Sequence, residues 1–219
     1  MSVSLVVIGA GGHAAEVCSY VMDLVGGGAP VRLLGCLDDH KPVGRDGPVE
    51  VIGGLDALDR LMRTHGDRLH AITAVGDNEV RKRLVARADA AGPRPLAWWT
   101  LQHPTASIGA DAEIGPGTLL APGSIVTARV RIGAHCILNV KASVSHDSVV
   151  GDFVNLNPGV VIAGNVRVGD AANVGAGAVV IEKRAVGAGA VVGAGAVVVR
   201  DVPAHVTTVG VPARVLRSH

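Results

Sequence analysis

The chain has 219 residues, enough for one or two domains, and its 20 Lys and Arg nearly balance 19 Asp and Glu. A formal net charge of +1 gives no electrostatic reason to expect nucleic acid or another polyanion as partner. Aromatics are only 2% of the residues, so the core must be aliphatic, and the three scattered cysteines (Cys18, Cys36, Cys136) lack a CxxC pair, which argues against a disulfide framework or structural zinc and for a reducing cytoplasm.

The first hundred residues alternate strand and helix. Val3–Ile8 reads as a buried strand that runs into a glycine-rich turn rather than a secretory leader. A helix is expected over residues 14–24, a strand over 32–37, and a helix over 54–64, where Leu55, Leu58, Leu61 and Met62 recur at helical spacing. A third strand over 69–75 follows, then a helix capped by Asn78 that stops near Gly92, then a fourth strand over 96–101. This alternation is that of a small α/β unit with a parallel sheet.

Gly9-Ala10-Gly11-Gly12-His13-Ala14 fits a relaxed dinucleotide fingerprint, in which glycines let backbone N–H groups approach a phosphate at a helix N-terminus. The acids Asp38 and Asp39, at the end of the second strand, suit sugar or ribose hydroxyls. Each feature has a plainer reading: a turn that merely packs strand on helix, and a solvated loop. With one mononucleotide-binding half instead of two, a nucleotide-linked small molecule fits better than NAD.

From residue 108 the period changes. Every sixth residue from Ile108 to Val198 is Ile, Leu or Val, sixteen in unbroken register. A six-residue step scatters over three directions on a helix but returns to one face of a strand. The pattern is the hexapeptide signature of a β-helix. Gly often follows the anchor, as in Ile114-Gly115 and Val168-Gly169, where it is expected to ease the corner. The fifth hexad position is mostly small, and Arg184, which breaks that rule, predicts an outward bulge. The apolar run 185–199 is shorter than a membrane span and keeps the hexad register, so no membrane association is expected.

The glycine turn, Leu37-Asp38-Asp39, Ala74-Val75-Gly76-Asp77-Asn78-Glu79-Val80-Arg81 and the hexads together resemble the bacterial sugar O-/N-acyltransferase family of sialic acid O-acetyltransferases and nucleotide-4-amino-sugar N-acetyltransferases. The resemblance implies a Rossmann-like nucleotide-sugar-binding domain over residues 1–103 and a left-handed parallel β-helix acyltransferase domain over 104–219. It also implies a cytoplasmic homotrimer, with acetyl-CoA lying between adjacent prisms and a nucleotide-linked amino sugar on the α/β domain.

Acetyl transfer needs a base for the acceptor's proton, and His is the natural choice near neutral pH. Of nine histidines, His40, His65, His70 and His219 sit in polar or terminal contexts, His135 reads as surface, and His205 lies in a closing segment where it could touch CoA. Val144-Ser145-His146-Asp147-Ser148 matches the family's catalytic segment, which implies His146 as base and Asp147 as its carboxylate partner. Neighbours in a strand point to opposite faces, so the pair requires a turn at that point. The resemblance further implies that Asn155, Gly164 and Gly175 line the acyl donor. It assigns Gly11, Gly12, His13, Asp38, Asp39, Gly76 and Asn139 to the sugar nucleotide or acceptor. Asn155 stands where relatives carry a second His, and its amide cannot carry a proton or positive charge. No metal site is expected. O-acetylation of a sialic-acid-like sugar, a non-catalytic sugar-binding trimer and an NAD-binding protein are the alternatives.

Overall fold

The computed structural model describes residues 2–92 and 94–219, with Asp46 described by its backbone alone. The chain divides into two compact units, Met1–Pro104 and Thr105–His219.

The first unit is an α/β sandwich. Its elements are β1 (Val3–Ile8), α1 (Gly12–Gly26), β2 (Val31–Leu37), β3 (Gly44–Asp46), β4 (Val49–Gly53), α2 (Ala57–His65), β5 (Leu69–Thr73), α3 (Asn78–Asp89) and β6 (Ala97–Trp98). The sheet runs β3-β4-β2-β1-β5-β6 and is parallel apart from the β3–β4 hairpin. β1 lies central, so Leu5, Val6, Val7 and Ile8 are buried from both faces, which explains their unbroken apolar run.

Three local differences from the sequence reading have physical causes. The β3–β4 hairpin was not expected: Gly44-Arg45-Asp46 carries no apolar alternation to mark a strand, and the alternating Val49-Glu50-Val51 after Asp46-Gly47 is a hairpin signal that the sequence reading left unused. The cap of α3 is Asp77, not Asn78: Asp77 is extended and its carboxylate accepts the Val80 N–H at 2.8 Å. The fourth strand is broken, with only Ala97 and Trp98 pairing with β5.

The second unit is a left-handed parallel β-helix. Each of the sixteen anchors is the second residue of a two-residue strand. Strands pair with partners 18 residues away, as Leu119↔Ile137 and Ser143↔Val161, so three hexads make one coil and three parallel sheets make the prism. Leu120, Leu138, Leu156, Val174 and Val192 stack in one such sheet, all at 0% exposure. Each fully buried anchor contributes about 1.5–3 kcal/mol before cavity effects, while Ile108 and Ile114, in the first coil, are only half-buried. The small residues at the fifth position fill the prism beside them: Thr118, Cys136, Ala142, Ser148 and Ala178 are fully buried. Their hydroxyls are satisfied across coils, Thr118 Oγ1 donating to Gly133 O at 2.9 Å and Ser148 Oγ to Ala163 O at 2.9 Å.

The glycines after the anchors do a different job from the one expected. Gly109, Gly115, Gly169 and Gly175 do not adopt left-handed backbone. Instead the next coil lies so close that a Cβ would sit 2.5–2.7 Å from its backbone. The residue that turns the corner stands two positions later. At every such site from Asp111 to Gly195, φ lies between 54° and 70°. Glycine relieves that conformation at Gly117, Gly123, Gly159 and Gly177, while Arg129, His135, Asp147 and Lys183 adopt it at a cost of about 1 kcal/mol each.

Arg184 causes no bulge. Its hexad keeps register, Arg167 pairing with Ala185, and the side chain turns out toward Asp201, 3.8 Å away. His135 is not a surface residue: it is 6% exposed and stacks on Phe153 with ring centroids 5.0 Å apart. An antiparallel hairpin, Val206–Val209 with Arg214–Ser218, ends the prism.

Candidate active site

The corner that follows strand Ser143–Val144 carries His146 and Asp147. Asp147 takes up the left-handed turn position, φ 60°, which swings its side chain back beside its neighbour. Nδ1 of His146 and Oδ2 of Asp147 are 2.7 Å apart. The turn that this pair requires is therefore present, and it is the same turn that every coil makes at this position.

Coil stacking adds two residues. Arg129 occupies the equivalent position one coil earlier and grips the carboxylate with both ends of its fork: Nε donates to Oδ1 at 2.7 Å and Nη2 to Oδ2 at 2.9 Å. The Arg129 guanidinium, and after it the His146 imidazole, pulls the Asp147 carboxyl down to about 2. It is thus a carboxylate at neutral pH and can only accept hydrogen bonds, which puts a proton on Nδ1; in the neutral imidazole the lone pair then lies on Nε2. Gly164 stands one coil after His146, and a Cβ on it would lie 2.7 Å from both Cε1 and Nε2 of the ring. The glycine is the space in which the imidazole sits. The His146 side chain is 58% exposed, so a substrate can reach it.

The remaining β-helix candidates lie elsewhere on the chain. Asn139 is on a different corner, where its Oδ1 accepts the Val140 N–H at 2.7 Å. Gly175 shares that corner two coils on, and the backbone of Gly193 and Ala194 leaves it no room for a Cβ. Asn155 is on the strand Asn155–Leu156, between Ile137 and Asn173, and is 5% exposed. Within one chain, His146, Asp147 and Gly164 come together, whereas Asn139, Asn155 and Gly175 do not join them. Sequence reasoning missed Arg129; a spacing of one full coil before Asp147 was the available signal.

In the first unit the turn after β1 separates its glycines by role. Gly9 is demanded by packing: its φ is 104° and a Cβ would lie 2.8 Å from Cγ2 of Val75. Gly11 and Gly12 have nothing within 4 Å of such a Cβ, so the packing turn alone does not require them. Gly11 precedes α1 with no side-chain cap, an arrangement that leaves the helix N-terminus open to an anion.

The acids are less free than expected. Asp38 already accepts the Ala10 N–H and the His40 N–H, both at 2.9 Å, and so ties the glycine turn to its own loop. Asp39 accepts the Leu55 N–H and Arg87 Nη2, both at 2.8 Å. The Leu55 amide, then Arg87, holds its carboxyl below the usual range. Each oxygen keeps one lone pair for a ligand. Beside them lies a cavity of about 170 Å³ lined by Ile8, Gly9, Leu37, Asp38, Asp39 and Arg87, at the C-terminal ends of the parallel strands, where α/β sheets hold ligands. His13 turns Nδ1 to Glu16 Oε2 at 2.9 Å and leaves Nε2 buried without a protein partner. Gly76 is exposed, and the fully buried Arg81 donates to Val75 O at 2.9 Å beside it. Among the described residues there is no group of three or more metal-ligating side chains.

Comparison with known proteins points one way. The family model described as PglD N-terminal domain matches residues 4–88. UDP-N-acetylbacillosamine N-acetyltransferase of Bacillus subtilis is 38% identical over 117 residues, 53% of this chain and 50% of that protein, so the chain spans about half the length of this curated relative. Several solved structures match almost throughout, among them the following two. The acetyltransferase domain of PglB from Neisseria gonorrhoeae, in complex with acetyl coenzyme A, has a TM-score of 0.86 and 32% identity, covering 99% of this chain and 100% of that one. A histidine-to-asparagine mutant of perosamine N-acetyltransferase from Caulobacter crescentus, in complex with CoA and GDP-perosamine, has a TM-score of 0.86 and 33% identity, covering 98% and 97%. With sequence identity above 30% sustained over nearly the whole length, the chain belongs to the hexapeptide-repeat sugar acyltransferases that carry a PglD-type N-terminal domain.

Proposed function

We propose that the protein is an acetyl-CoA-dependent N-acetyltransferase that acylates the 4-amino group of a nucleotide-linked sugar. The observation that carries this reading is the His146–Asp147 pair, 2.7 Å apart on an exposed corner with Nε2 free. Relatives named for N-acetylation of nucleotide-linked amino sugars favour an amine over a hydroxyl as acceptor.

In this mechanism acetyl-CoA is a co-substrate that brings the activated acyl group. His146 Nε2 takes a proton from the acceptor nitrogen as that nitrogen bonds to the thioester carbonyl carbon. Asp147 faces the imidazolium so formed and holds the ring in place. His146 then returns the proton to the thiolate as the C–S bond breaks. A base of this kind contributes roughly 10²–10⁴-fold. The open turn at Gly11 and Gly12, with His13, Asp38, Asp39 and Gly76 around it, holds the sugar nucleotide. Asn155, Gly164 and Gly175 contact the acyl donor, and Asn139 orients the acceptor.

Asn139 and Gly175 share a corner that His146 and Gly164 do not, and Asn155 lies on a strand; this separation within one chain supports a homotrimer whose neighbouring prisms form the groove for acetyl-CoA. The cytoplasm, where acetyl-CoA and nucleotide sugars occur, is the proposed location. No helix among the described residues is long and apolar enough to cross a membrane.

The test is incubation with acetyl-CoA and a panel of UDP-, dTDP- and GDP-linked 4-amino sugars, scored by product mass and thiol release. A mass gain of one acetyl group on at least one of them is expected. Failure of all, with turnover of a free sialic acid, would replace the amine acceptor by a hydroxyl.

A further inference from the structure

We propose that Arg129 is a positioning residue for acyl transfer: its fork fixes the plane of the Asp147 carboxylate and so locks His146 with the proton on Nδ1 and the lone pair on Nε2. The proposal rests on the reading of His146 as the base.

Asp147 has a short side chain on an exposed corner. Its left-handed backbone sets where Cβ points but leaves the carboxylate free to rotate. Two near-parallel bonds from one guanidinium, 2.7 Å to Oδ1 and 2.9 Å to Oδ2, remove that freedom, as bidentate Arg–carboxylate pairs do. The oxygen that receives Nη2 is the one that receives His146 Nδ1. Arg129 therefore acts on the ring through a shared atom, while Gly164 leaves space on the ring's other side.

A purely structural account is available, because Asp111 also attracts this guanidinium and opposite charges alternate along the corner. The two accounts differ in what they stabilise. Arg129 is 60% exposed and Asp147 33%, and ion pairs so placed contribute little to folding. Loss of Arg129 should thus leave the fold almost untouched and still disturb the imidazole.

The experiment compares Arg129→Ala, Arg129→Lys and His146→Ala in the full-length protein. It measures kcat, KM for both substrates, thermal midpoint, and the ¹⁵N shifts of labelled His146, assigned by their loss in His146→Ala. For Arg129→Ala the expected result is a kcat lower by about tenfold with both KM values within about twofold. Its thermal midpoint should move by no more than about 3 °C, and its ¹⁵N pattern should shift from the Nδ1–H form toward a tautomer mixture. Arg129→Lys should fall between, since an ammonium cannot hold both oxygens in a fork. Wild-type kcat together with a wild-type ¹⁵N pattern in Arg129→Ala would overturn the proposal. An inactive His146→Ala beside a fully active Arg129→Ala would overturn it while leaving the base in place. Wild-type turnover in His146→Ala would instead remove the base on which the proposal stands.

Discussion

Gly164 lies one coil beyond His146, and a methyl group in place of its hydrogen would sit 2.7 Å from the imidazole Cε1 and Nε2. Because the backbone there is not left-handed, alanine is sterically permitted for the chain and excluded only by the ring. Gly164→Ala should displace the imidazole, lower kcat by about tenfold or more and leave the β-helix folded. Steady-state kinetics with circular dichroism on the same sample would check it. Unchanged kcat would mean that the ring has room elsewhere and that its packing on Gly164 is incidental.

Asp147→Asn separates charge from shape. The amide can donate as well as accept, so it no longer enforces the Nδ1–H tautomer, and turnover should fall by about a hundredfold. The substitution also has a pH signature. The folded carboxyl is held at about 2, below its unfolded value, so the stability it contributes is present above about pH 4 and is lost as pH falls toward 2. Because the pair is exposed and screened by solvent, the gap between the urea midpoints of wild type and Asp147→Asn should be small at neutral pH, and it should close over that window. A gap that stays constant down to pH 2 would contradict the assigned pairing.

The glycine turn after β1 allows two opposite outcomes. Gly9→Ala meets a φ of 104° and the Val75 methyl, so it should cost about 1–3 kcal/mol of stability. Gly11→Ala meets open space and should change stability by less than about 0.5 kcal/mol while raising KM for the nucleotide sugar. Chemical denaturation and substrate titration of the two variants would check this. Equal KM values for Gly11→Ala and wild type would remove that turn from the substrate site.

How much of this was legible depends on the range over which each signal acts. The sixteen anchors were plain because one aliphatic residue per hexad is a local, repeated demand, and the structure places each in a strand. The role of the glycines was misread because two different demands recur in the same hexad. Close stacking acts on residues such as Gly115, and left-handed backbone acts two positions later, where Asp111, Arg129 and Asp147 hide it. Strand β3 left no trace because Gly44-Arg45-Asp46 buries no apolar face, whereas β4 was legible: Val49 and Val51 are buried and alternate with Glu50 after the Asp46-Gly47 turn pair. His146 and Asp147 came from resemblance, yet their partners Arg129 and Gly164 follow from arithmetic: each is 18 residues away, one coil in this fold. Once the coil length is known, the corner column can be read from the sequence. The tethering of Asp38 and Asp39 by backbone N–H groups could not be read that way, since Ala10 and Leu55 reach them through the tertiary fold alone.

The central claim is that His146 Nε2 removes the acceptor's proton. Single-turnover acetyl transfer by His146→Ala, with saturating acetyl-CoA and amino-sugar nucleotide, tests it most directly. The expected result is a rate lower by roughly 10²–10⁴-fold with CoA affinity unchanged. A rate equal to that of the wild type would contradict it.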